Sequence, residues 1–127
     1  MTIVDTSAWI EFFRGRGPIA THVDDLIEAG EVALCGPVMT ELRRGLKGER
    51  ERRKVLPLLE ACTMLSQPEH LWAEAGELGF FLARKGVTAK TLDLLVAAYA
   101  LAHGTALLTT DKNFAAMRST GIAILLA

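Results

Sequence analysis

The chain of 127 residues lacks most of what marks a specialised class. Its two cysteines, Cys35 and Cys62, lie in separate apolar contexts with no short spacing. That is too few for a disulfide scaffold and reads as two buried thiols in a reducing compartment. Aromatic residues are only 6% of the chain, so Leu, Ala, Val and Ile must build the core. There are four prolines and no Gly/Ser-rich tract or internal repeat, so one domain over residues 1–127 is expected. No apolar run approaches the ~20 residues of a membrane helix. No basic, then apolar leader precedes the first strand. The expectation is a cytoplasmic protein without membrane contact. The formal net charge of −1 removes any global electrostatic argument for nucleic-acid binding, which would need local basic patches or a bridging cation. His22, His70 and His103 are scattered without ligand spacing, which argues against zinc. The glycines of Gly15-Arg16-Gly17 follow a helical pattern rather than a strand, the wrong context for a phosphate loop.

What is present is an alternation of short apolar runs with helical patterns. Strands are expected over residues 2–5, 31–35, 63–66, 106–110 and 122–126. Helices are expected from Ser7 to Phe13 and over 18–29, 38–46, 49–61, 69–85, 92–102 and 112–118. Thr6 and Ser7 look like N-caps of the first helix, and Thr91 like the cap of the 92–102 helix. Pro57 is placed to kink or end its helix. Leu71, Trp72, Ala75, Leu78 and Leu82 form the expected apolar side of 69–85. The 92–102 helix is apolar nearly all round and should be central and buried. The alternation predicts an α/β fold: a three-layer α/β/α sandwich with a central, mostly parallel sheet of about five strands.

Four acids stand out against that scaffold. Asp5 and Asp111 close apolar runs, so both should lie at the carboxyl edge of the sheet, where such folds bind ligands. Glu41 follows the second strand and Asp93 opens the buried helix. Right-handed crossovers put both at the same edge. Singly, each acid can be a helix cap or a favourable charge at a helix start. Together they form a set of hard oxygen donors, with no His or Cys cluster, suited to Mg²⁺ or Mn²⁺ and to phosphodiester chemistry. Asp24 and Asp25 fall on the polar side of a helix and read as solvated surface. An aspartyl phosphatase would want a second Asp where Ser7 stands. A phosphoacceptor domain would want Asp at the end of a middle strand, where Cys35 and Ser66 stand.

The ordered set resembles a known family. Val4 to Phe12 (V-D-T-S-A-W-I-E-F), Glu41 after the second strand, Asp93 in Leu-Asp-Leu-Leu-Val-Ala-Ala-Tyr-Ala and Leu107 to Phe114 (L-L-T-T-D-K-N-F) are similar to a PIN domain of the VapC toxin type. The resemblance covers nearly the whole chain. It implies a Mg²⁺- or Mn²⁺-dependent endoribonuclease, the toxin of a toxin–antitoxin pair, that hydrolyses RNA by in-line attack of an activated water. Asp5, Glu41, Asp93 and Asp111 would be the catalytic, metal-holding acids, with Thr6, Ser7, Thr109 and Asn113 supporting them. Asn113 departs from the further acid that many members carry there. Arg14, Arg43 and Arg44 are the candidate RNA contacts, alongside Arg16 and Lys47. The implied partners are a transfer or ribosomal RNA, a small VapB-like antitoxin that masks the site, and a second copy in a homodimer. Trp9, Phe12, Phe13, Trp72 and Phe81 offer apolar surface for such partners, although most are expected in the core. The rival reading is a non-catalytic module of the same fold that binds antitoxin or RNA.

Overall fold

Thr2–Val4 (β1) and Ala106–Thr109 (β4) have almost no exposed side chain. Strands covered on both faces belong in the middle of a parallel sheet between helix layers. The computed structural model describes residues 1–126, so Ala127, the last residue of the expected domain, lies outside the described residues. In it β1 pairs with Val32–Leu34 (β2) on one side and with β4 on the other. Thr63–Met64 (β3) and Ile124–Leu126 (β5) extend the sheet to the order β3-β2-β1-β4-β5. Every pairing is parallel, where a mostly parallel sheet was expected. The chain winds outward from β1 through β2 to β3, then crosses back to β4 and β5. The switch point therefore lies between β1 and β4, and its carboxyl edge is the expected ligand crevice.

The helices are Thr6–Phe13 (α1), Gly17–Glu28 (α2), Gly36–Arg44 (α3), Glu49–Glu60 (α4), Leu71–Arg84 (α5) and Thr91–His103 (α6). Lys112–Thr120 is a 3₁₀ helix, longer and tighter than the short helix expected over 112–118. The core is aliphatic: Ile3, Val4, Leu34, Leu107 and Leu108 are each at most 1% exposed. Each such side chain contributes roughly 1.5–3 kcal/mol by leaving water. Residues Leu95 to Ala100 of α6 are all buried, as its apolar sequence predicts. Its neighbour α3 approaches closely because residue 36 is glycine: a Cβ there would stand 3.3 Å from the Tyr99 hydroxyl. That approach brings the helices of Glu41 and Asp93 together.

Several expectations need correction. Pro57 does not break α4, which runs on to Glu60. One helical N–H is lost there, but Val55 and Leu59 on either side are buried and hold the segment down. The third strand has only two residues, both exposed, with Leu65 adding one more bond to Leu34 O at 2.8 Å. Cys62 is half-buried, while Cys35 is fully buried, and both thiols are free. Four of the eight aromatics lie outside the core. Trp9 is 0% exposed, but Trp72 is 67% and Phe80 60% exposed, and Phe13 and Phe81 are exposed as well. On α5 the buried stripe is Leu71, Ala75 and Leu82. Trp72 lies 100° round the helix from Leu71.

Candidate active site

The parallel register builds the site. Val4 pairs with Leu108, so the next rung sets Asp5 beside Thr109 at the carboxyl edge. The Asp5 N–H still donates to Leu108 O at 2.9 Å, and its side chain leaves the ladder only 7% exposed. A buried carboxylate needs donors. Thr109 Oγ1 and Ser7 Oγ both donate to Asp5 Oδ2, each at 3.0 Å. The two hydroxyls lie 3.2 Å apart. Thr110 N–H donates to Ser7 Oγ at 3.1 Å, and Asp111 N–H donates to Thr109 Oγ1 at 2.9 Å. Bonds to an ionised acceptor contribute about 1.5–3 kcal/mol each. This chain of hydroxyls fixes Asp5 and shapes the turn that carries Asp111.

The cap expectations fail for the same reason. The N-cap of α1 is Asp5, with no side-chain cap bond. Thr6 and Ser7 turn their hydroxyls to the acids instead, Thr6 Oγ1 donating to Glu41 Oε1 at 3.0 Å. The N-cap of α6 is Lys90, and Thr91 is its first helical residue. Asn113 supports Asp111 through its backbone: its N–H donates to Asp111 Oδ1 at 2.9 Å.

Asp93 differs from the rest. It is half-buried in the first turn of α6 and accepts no hydrogen bond among the described residues. Its carboxyl is pushed up to about 6, first by loss of hydration, then by the negative charge of Asp5 and Asp111; Glu41 adds a smaller push and Lys90 opposes them. The other three predicted acids all add to the rise, so their charge reaches Asp93. Cys35 lies under them, one rung past Leu34. Burial raises its thiol to about 11, Asp5 and Glu41 add to the rise, and a hydrogen bond from the Val38 backbone opposes it. It is a packing residue at neutral pH rather than a nucleophile. Its burial at the end of the second strand is as the sequence predicts.

A PIN-domain family description matches residues 2–119. Ribonuclease VapC11 of Mycobacterium tuberculosis is 31% identical over 119 residues, which span 90% of this chain and 89% of that protein. The chain belongs to the PIN-domain family. Among solved structures, it is similar in fold to VapBC2 from Rickettsia felis bound to a promoter DNA fragment. The TM-score is 0.82 at 20% identity, over 99% of this chain and 98% of that one. VapBC-1 from nontypeable Haemophilus influenzae follows at a TM-score of 0.77 and 22% identity, covering 98% of this chain and 96% of that one.

In this PIN domain the four acids are arranged around the switch point, but no three carboxylate, histidine or cysteine side chains among the described residues converge closely enough to hold an ion as they stand. Their free atoms are informative. Asp5 Oδ2, Glu41 Oε1 and Asp111 Oδ1 accept the bonds described above. Among the described residues this leaves Asp5 Oδ1, Glu41 Oε2, Asp111 Oδ2 and both Asp93 oxygens without a donor. The basic candidates are peripheral. Arg14 pairs with Glu11 at 3.6 Å on the surface. Arg43 and Arg44 are exposed in the last turn of α3 and make no ion pair among the described residues. No described helix is long and apolar enough to cross a membrane.

Proposed function

We propose that this PIN domain is an endoribonuclease, the toxin of a toxin–antitoxin pair. One observation carries the reading: three acids each keep one oxygen tied and one open, beside Asp93, whose charge its neighbours oppose. By its chemistry that donor set, all carboxylate oxygen, suits a hard divalent cation, Mg²⁺ or Mn²⁺, on which the side chains would have to close. Asp5, Asp93 and Asp111 would hold it, with Glu41 directly or through water. Such an ion supplies charge for activating a water and neutralising phosphate oxygens. The chain's own residues do the rest. Ser7 and Thr109 hold Asp5 in one rotamer, the Asn113 N–H orients Asp111, and Thr6 aims the open Oε2 of Glu41. Arg43 and Arg44 offer phosphate contacts within a turn of Glu41. The substrate class is transfer or ribosomal RNA.

The antitoxin seat is the groove of about 470 Å³ between α1 and α4, walled by Phe12, Phe13, Val55 and Leu58 with Glu51 and Lys54 at its rim. The outward aromatics of α5, Trp72 and Phe80 above all, suit a second copy in a homodimer.

The test is incubation of antitoxin-free protein with total RNA in Mg²⁺, Mn²⁺ or EDTA, beside Asp5→Asn, with the fragment 5′ ends mapped. Discrete cuts that need metal, and fall by roughly 10³-fold or more in the variant, are expected. Equal patterns for wild type and variant would mean a contaminating nuclease. No cutting and no metal binding would leave a binding module of the same fold.

A further inference from the structure

The turn between α1 and α2 holds a group of residues that the acidic cluster does not use. Gly15 and Gly17 have φ of +63° and +69°, a conformation in which a side chain would be strained. Between them Arg16 projects from the surface, its side chain 59% exposed. Arg16 Nη2 lies 3.3 Å and Arg14 Nη1 3.6 Å from the same Glu11 oxygen. Two guanidiniums sharing one carboxylate leave a net positive patch.

That patch borders a cavity of about 360 Å³ lined by Glu11, Arg16, Gly17, Pro18, Ile19 and Thr110. Its volume is in the ~300–1,000 Å³ range of small-ligand sites. One lining residue is bonded toward the acids: Thr110 N–H donates to Ser7 Oγ, which donates to Asp5 Oδ2. Thr110 also directly precedes Asp111. Thr110 thus belongs both to the cavity lining and to the hydrogen-bond chain that holds Asp5. Pro18 and Ile19 offer an apolar wall, Arg16 a planar cation and Glu11 an acceptor. Unpaired RNA bases are bound by apolar contact, by stacking on guanidinium planes and by hydrogen bonds to their edges, while phosphates pair with arginine. The larger groove between α1 and α4 has no such link to the acids.

We propose that this cavity seats one unpaired nucleotide of the RNA, next to the scissile phosphate, and that Arg16, held by Glu11, determines which nucleotide is accepted. The inference rests on the ribonuclease reading above and adds a specificity residue to it.

The experiment compares wild type, Arg16→Ala and Arg16→Lys, an exposed position where folding should survive. Cleavage of a mapped RNA substrate gives KM, kcat and the nucleotide preference beside the cut. Binding of a short fluorescent single-stranded RNA is measured separately in the Asp5→Asn background over a salt series. Arg16→Ala should raise KM and Kd roughly tenfold, the worth of one stacked base or phosphate contact, with kcat nearly unchanged. Its slope of log affinity against log salt should shrink by about 0.7. The preference beside the cut should flatten, and Arg16→Lys should restore the salt slope but not the preference. Unchanged KM, Kd and preference in a protein that still cuts RNA would overturn the subsite and leave the nuclease. RNA binding that depends on Arg16 in a wild type that never cuts would keep the subsite and sink the nuclease. A wild type that neither cuts nor binds RNA would remove both.

Discussion

The strand side and the helix side of the acidic cluster are built by different means. On the strand side, Asp5 and Asp111 sit at adjacent strand ends and are held by two hydroxyls and a backbone N–H. On the helix side, Asp93 has no donor among the described residues and Glu41 only Thr6. On the strand side each carboxylate is anchored through one oxygen and keeps the other open. The helix side is under electrostatic strain, with one carboxyl pushed up to about 6. A site organised this way keeps part of its geometry fixed and leaves the remainder responsive to bound charge.

The comparison can be broken most easily at Thr109. It is 0% exposed, and Thr109→Val removes a donor from Asp5 Oδ2 and an acceptor from the Asp111 N–H. Stability should fall by about 1–3 kcal/mol in denaturant titrations. RNA cleavage should fall roughly 10–100-fold, as for a residue that orients a ligand. A variant as stable and active as wild type would show that the hydroxyl chain does not hold the site.

Asp93→Asn should act in the opposite sense on stability. In metal-free protein the folded state holds the Asp93 proton up to about 6, against an ordinary value of 3.8. Between those values the folded state binds more protons than the unfolded chain, so its stability declines as pH rises through this window. Removing the charge should therefore make the variant more stable than wild type near pH 7, with the gap closing below the ordinary value. Denaturation in EDTA at both pH values measures it, and cleavage should be lost. A gap that persists at low pH would place the cause outside this carboxyl.

The smallest effect is expected at Thr6→Val, which frees Glu41 Oε1 from its one hydroxyl. The bond is only partly buried, so a loss of about 0.5–1.5 kcal/mol is expected. A several-fold loss of cleavage, measured beside Thr109→Val, would rank the helix side as the less ordered half. A larger loss than at Thr109 would reverse that ranking.

The alternation of apolar runs and helical patterns made the order of elements readable, and with it the sheet edge that carries Asp5, Glu41, Asp93 and Asp111. Boundaries shifted by at most two residues where local signals were weak, as at the two-residue β3. The hydroxyls of Thr6 and Ser7 were readable as helix caps because that role needs only neighbours in sequence. Thr6 in fact donates to Glu41, 35 residues away, and Ser7, which donates to its near neighbour Asp5, also accepts from the N–H of Thr110, 103 residues away. The aromatics of α5 misled for a related reason: apolar composition marks a helix as amphipathic without saying how wide its buried stripe is.

By itself the sequence determined the parallel α/β class, the aliphatic core and the residue types of the acidic edge. Each follows from local periodicity and from the handedness of crossovers, which need no knowledge of distant contacts. Only the tertiary structure decided the rung that sets Asp5 against Thr109, the sharing of hydroxyls between acids and the cavity that joins Thr110 to Arg16. Those depend on register and on helix approach, where a shift of one residue would turn every side chain to the other face.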